Sequence, residues 1–161
     1  MATSFVHHQG RGFWSSDGLL EMWLLAVVRE IDQVPSAATW LRNLRDQWYD
    51  LATMGLMGCI DPDLDAAVAS EARRDELLAM MSAALLRLQE PGNPSPLQDL
   101  LVENWVGFGE RNVKLQDFID RTPDVGRSNL LRLGRQFIKL LRGELVTVAS
   151  DRDANMPWGE E

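Results

Sequence analysis

At 161 residues the chain has single-domain length, and 45% apolar residues with six tryptophans can build one core without staples. Its single cysteine, Cys59, excludes an intrachain disulfide and fits a reducing compartment, while a formal charge of −8 makes nucleic acid an unlikely partner overall. The longest apolar run, 22–28, has seven residues, against about 20 needed to cross a bilayer, so the expectation is a cytoplasmic protein with no membrane partner.

From the N-terminus, MATSFVHHQGRGF has no apolar stretch of signal-peptide length and reads as a flexible lead-in over 1–15. Ser16 or Asp17 then caps a first helix reaching about Asp32, with Leu20, Trp23, Leu24, Val27 and Ile31 on its central apolar face. Met22, Leu25, Ala26 and Val28 spill around that face, which places this helix in the middle of the packing. Glu21 lies about 100° from Leu20 in projection, in a thin polar strip near the helix N-terminus where the macrodipole favours a negative charge. It is read first as a structural residue and second as a pocket carboxylate.

Ser36 can cap a second helix running towards Gly58. This one is plainly amphipathic: Ala37, Trp40, Leu41, Leu44, Trp48 and Leu51 share a face opposite Arg42, Asp46 and Asp50. A short turn over 62–68 precedes a longer helix over 70–90 with Leu77, Met81, Ala84, Leu85 and Leu88 inward. PGNPSP at 91–96 breaks the chain, and Leu97, Leu100, Leu101 and Trp105 line the helix that follows. VGFGER at 106–111 marks a kink or a break, 112–121 a short helix, and TPDVG at 122–126 a turn. A last helix over 127–142 puts Leu130, Gly134, Phe137, Ile138 and Leu141 inward and stops ahead of Gly143, a C′ residue.

No segment shows sustained period-two alternation, so the expected fold is all-α: a single compact helical bundle of five or six helices. Residues 1–148 form one helical domain, and 149–161 are expected to be a mobile acidic tail.

Chemistry is sparse. The only histidines, His7 and His8, fall in the lead-in, and the chain lacks the phosphate-loop, dinucleotide, zinc-protease and nucleophile-elbow motifs. Asp61-Pro-Asp63-Leu-Asp65 copies the first ligands of a calcium loop, but Ala66 stands at the turn glycine and Ala72 at the closing glutamate. No metal, cofactor or catalytic residue is therefore expected, and Cys59 reads as a small buried residue.

Charge is unevenly spread. Residues 61–110 hold ten acidic residues against three arginines, a net of −7, and residues 111–143 hold eight basic against three acidic, a net of +5. Arg132, Arg135, Lys139 and Arg142 form one stripe of the last helix. They are either a solvated face paired with the acidic block or a binding surface.

Size, charge and missing motifs favour a non-enzymatic protein that binds another protein, with a neutralising immunity or antitoxin-type partner of a basic protein as one concrete form. The alternative is a carboxylate-based enzyme or small-ligand binder with an inter-helix pocket drawn from Glu21, Asp46, Asp50 or Glu103. A weaker one is a nucleic-acid-binding regulator acting through the basic helix. The apolar excess of the first helix leaves a homodimer open.

Overall fold

The structure, a computed structural model, describes residues 3–54, 56, 58–90 and 123–145. Among them are two strands, β1 (Thr3–His8) and β2 (Arg11–Ser16), and five helices: α1 (Asp17–Asp32), α2 (Thr39–Thr53), α3 (Leu64–Ala67), α4 (Glu71–Gln89) and α5 (Pro123–Leu141). The fold is thus not all-α.

The strands overturn that expectation and replace most of the flexible lead-in expected over 1–15. They pair antiparallel from Thr3↔Ser16 to His8↔Arg11, joined by Gln9 and Gly10 at φ 50° and 76°. Two successive left-handed residues form the tight connection whose twist matches that of the strands. The cross-strand pair Val6 and Phe13 faces inward, and Phe13 meets Phe137 of α5 edge-on at 5.5 Å between ring centroids. On the other face Phe5 packs on its partner Trp14 at 5.2 Å. Apolar side chains on both faces hide the alternation that normally announces a strand.

α1 follows β2 directly, with Ser16 in extended conformation as its N-cap. It packs against α2, α4, α5 and β2, and every residue from Leu20 to Val28 is buried. Trp23 and Phe137, both fully buried, join α1 to α5 with centroids 5.9 Å apart.

α2 starts at Thr39 behind the cap residue Ala38, two residues later than Ser36 would set it, and ends at Thr53 rather than near Gly58. The early end has a visible cause. Downstream backbone is drawn to other partners: Gly58 N–H donates to Asp17 Oδ2 at 2.7 Å, Ile60 N–H to Ser4 Oγ at 2.9 Å, and Trp48 Nε1 to the Pro62 carbonyl at 3.0 Å. Gly58, at φ 71°, belongs to this connection.

Ser70 caps α4, accepting from Arg73 N–H at 3.3 Å, and of the residues expected inward Leu77, Met81, Ala84 and Leu88 are buried and Leu85 partly so. α5 begins at Pro123, inside the segment expected to be a turn over 122–126; proline tolerates the first helical position because its missing N–H has no partner there. Its other end agrees with the sequence. Gly143 at φ 71° lets Glu144 N–H reach back to the Lys139 carbonyl at 2.9 Å, closing the helix as a C′ glycine does. The helix expected near 97–105, the 106–111 segment, the short helix at 112–121 and the 149–161 tail lie outside the described residues.

Candidate interaction surfaces

α5 is buried along Leu130, Leu133, Phe137, Ile138, Leu140 and Leu141, which turns Arg135, Lys139 and Arg142 outward; Arg132 is half-buried. Three of the four basic residues singled out in the sequence therefore stand on one exposed stripe. Among the described residues, none of Arg135, Lys139 and Arg142 makes an ion pair. Four of the acidic side chains offered as their partners are engaged elsewhere: Glu71 and Asp75 with Arg74, Asp61 and Asp65 with the hairpin.

That second engagement joins two features the sequence set apart. Asp65 Oδ1 accepts Gln9 N–H at 3.0 Å and lies 2.6 Å from Nδ1 of the buried His8, a close contact without hydrogen-bond alignment. Asp61 Oδ2 lies 3.7 Å from His7 Nε2. The turn holding these carboxylates is built by its own backbone: Asp63 N–H donates to Asp61 Oδ1 at 2.9 Å, and Asp63, at φ 46°, caps α3 through Ala66 N–H. Aspartate tolerates that left-handed conformation better than most residues. No group of three or more His, Cys, Asp or Glu side chains among the described residues is arranged to hold a metal ion.

Glu21 is buried, 5% exposed. At Glu21 the polar strip in which projection placed it does not reach water, although it does at Asp32 at the other end of the helix, because α1 is packed against several elements. Asp46 and Asp50 are exposed on α2, and Glu103 lies outside the described residues. Asp46 adjoins Arg45, which in turn binds Asp32 at the far end of α1. Eleven residues separate Glu21 from Asp32, roughly 16 Å along the helix. The structure does not bring Glu21 and Asp46 into one pocket. An open groove of about 280 Å³ does lie beside Arg45, lined by Ile31, Asp32, Val34, Pro35, Ala37, Arg42 and Asp46. Hydrogen bonding to Asp32, its largest influence, raises the Arg45 pKa, and the guanidinium stacks on Tyr49 at 4.9 Å.

Two buried carboxylates escaped the sequence reading. Asp17, expected at most to cap α1, is completely buried and accepts the Ser4 hydroxyl at 2.7 Å as well as Gly58 N–H. Glu30 is buried against Arg87, which grips it with two nitrogens; the hydrogen bonds to Glu30 are the chief reason the Arg87 pKa is raised. Neither pairing has a local signature, since the partners lie 13 and 57 residues apart. Cys59, expected to be buried, is exposed, because its neighbours Gly58 and Ile60 are the residues tied inward.

Compared with protein-family models, with curated proteins and with solved structures, the chain finds no match in any of the three. Among the described residues no helix is long and apolar enough to cross a membrane.

Proposed function

We propose that this chain is a non-enzymatic, cytoplasmic protein that works by binding a basic protein, in the manner of a neutralising immunity or antitoxin-type partner. One observation carries the reading. Between residues 32 and 76, Asp32, Asp46, Asp50, Asp61, Asp63, Asp65, Glu71 and Asp75 are exposed, and Arg42 is the only exposed cation. The other arginines there are spent internally: Arg45 on Asp32, Arg74 on Glu71 and Asp75, Arg73 stacked over Trp40 at 5.2 Å.

Such a surface steers a cationic partner at long range and repels anionic ones. Asp46 and Asp50 on α2 and Glu71 and Asp75 at the start of α4 have no tie to the hairpin and, although Arg45 and Arg74 offset part of the charge of Asp46, Glu71 and Asp75, are assigned to the partner. Met54, one turn beyond Asp50 at the end of α2 and 63% exposed, supplies an apolar contact.

The test is capture from extracts of the native cells at moderate salt. The expected result is one stoichiometric basic protein, retained by the wild-type chain and lost by D46N/D50N/E71Q/D75N with its thermal melt unchanged. Recovery of no such protein, or equal recovery by the variant, ends the reading. Co-expression then addresses neutralisation: the chain restores growth to cells making the captured protein.

A further inference from the structure

Two surfaces of opposite charge meet at one hairpin tip. On the β1 side, Asp65 holds Gln9 N–H and approaches His8, with Asp61 beside His7. On the β2 side, Arg11 donates to the carbonyls of Gly143 at 3.0 Å and Leu145 at 3.3 Å, which brings the end of α5, with Arg142, against the tip. His8 and Arg11 are cross-strand partners, so the two surfaces flank a ribbon two strands wide, with about 5 Å between the strands. Among the described residues the tip itself stands clear: a β-carbon on Gly10 would meet nothing within 4 Å.

We infer that a second copy of this chain docks across the tip as a two-fold pair, Arg135, Lys139 and Arg142 of each copy facing Asp61, Asp63 and Asp65 of the other. A two-fold contact needs a surface that contains both complementary halves on either side of an axis. Here the tip supplies the axis, the α5 stripe one half and the 61–65 turn the other. Backbone N–H groups of Gln9, Asp63 and Ala66 hold these carboxylates in place without cancelling their charge, and Asp63 makes no ion pair among the described residues. Because both halves adjoin the same tip, one contact satisfies both at once and the assembly closes at two copies instead of extending as a chain. The pairing uses carboxylates other than those assigned above to the basic partner.

Sedimentation equilibrium at about 0.05 M and about 0.5 M salt, where screening lengths differ severalfold, tests the pairing. The wild-type chain is expected at twice its 18.2 kDa mass at low salt and to move towards the monomer at high salt. R135Q/K139Q/R142Q, which alters only exposed side chains, is expected to stay monomeric and to keep the basic partner. D61N/D65N retains the acceptor oxygens of the turn and lowers the net charge from −8 to −6. General repulsion between copies would make that variant associate better; the local pairing makes it associate less. A monomeric wild type, variants that pair as well as wild type, or a mass that keeps growing past the dimer overturns the inference. Should D61N/D65N fail to fold, D63N, which lowers the net charge to −7 and keeps a side-chain oxygen to cap α3, takes its place: weaker pairing supports the inference and equal or stronger pairing overturns it.

Discussion

Gly134 of α5 lies so close to Trp23 of α1 that a β-carbon on the glycine would stand 2.5 Å from Cζ3 of the indole, with Leu85 Cδ2 at 2.7 Å on another side. The glycine is where α5 lets the largest buried side chain of α1 pass beneath it. G134A is therefore an overpacking mutation, although alanine favours helix, and a loss of about 1–3 kcal/mol is expected. Urea titration measures it. Stability equal to or above wild type would show that the helices separate freely.

Asp17 has two protein donors and no access to water. In D17N an amide N–H₂ must replace one acceptor oxygen and face a donor, so about 1–3 kcal/mol of stability is expected to go. S4A should cost a similar amount, since it strips Asp17 of one donor and leaves the buried Ile60 N–H without its acceptor. The two losses should not add, because both remove the same Ser4–Asp17 bond. A double-mutant cycle reads the shortfall.

Glu30 and Arg87 differ from an ordinary surface pair because the carboxylate is buried while the guanidinium is half-exposed. R87A leaves a buried charge without this partner and is expected to destabilise by about 3 kcal/mol, whereas R87A/E30Q, which removes the charge as well, should recover part of that loss. R87K is expected to recover little, as an ammonium cannot grip both oxygens in the plane of the carboxylate. Thermal melts of the three variants rank them.

Trp48 is fully buried, and its Nε1–H is satisfied by the Pro62 carbonyl. W48F keeps most of the apolar volume and removes the donor, so a loss of about 1–3 kcal/mol is expected from the stranded carbonyl and the smaller ring. Amide exchange should localise the effect: protection falls at 60–67 more than in α1.

These residues also show why the sequence was only partly legible. α1, α4 and the end of α5 repeat at helical spacing, and Gly143 closes α5 as its position suggested, because those signals are local. The hairpin was not legible. Its tight turn is Gln9–Gly10 instead of the more telling Asn-Gly, and Phe5 and Trp14 put apolar residues on the face that alternation would leave polar. The depth of Glu21 was hidden for a different reason: a projection describes one helix, and burial depends on how many neighbours surround it. The stripe Arg135, Lys139 and Arg142 was readable from spacing alone, but the engagement of Asp61 and Asp65 at the hairpin was not, since it rests on contacts such as that between Gln9 and Asp65, 56 residues apart.

The bond from Arg11 to Gly143 closes a separation of 132 residues. The hairpin, made well before α5 during synthesis, thus has to wait for that helix before the inner faces of Val6 and Phe13 are covered. Isolated two-stranded ribbons are barely stable in water, and contacts this distant in sequence form late. Strands synthesised well ahead of α5 thus become native only with it, and through that interval Phe13 is the surface a chaperone would meet.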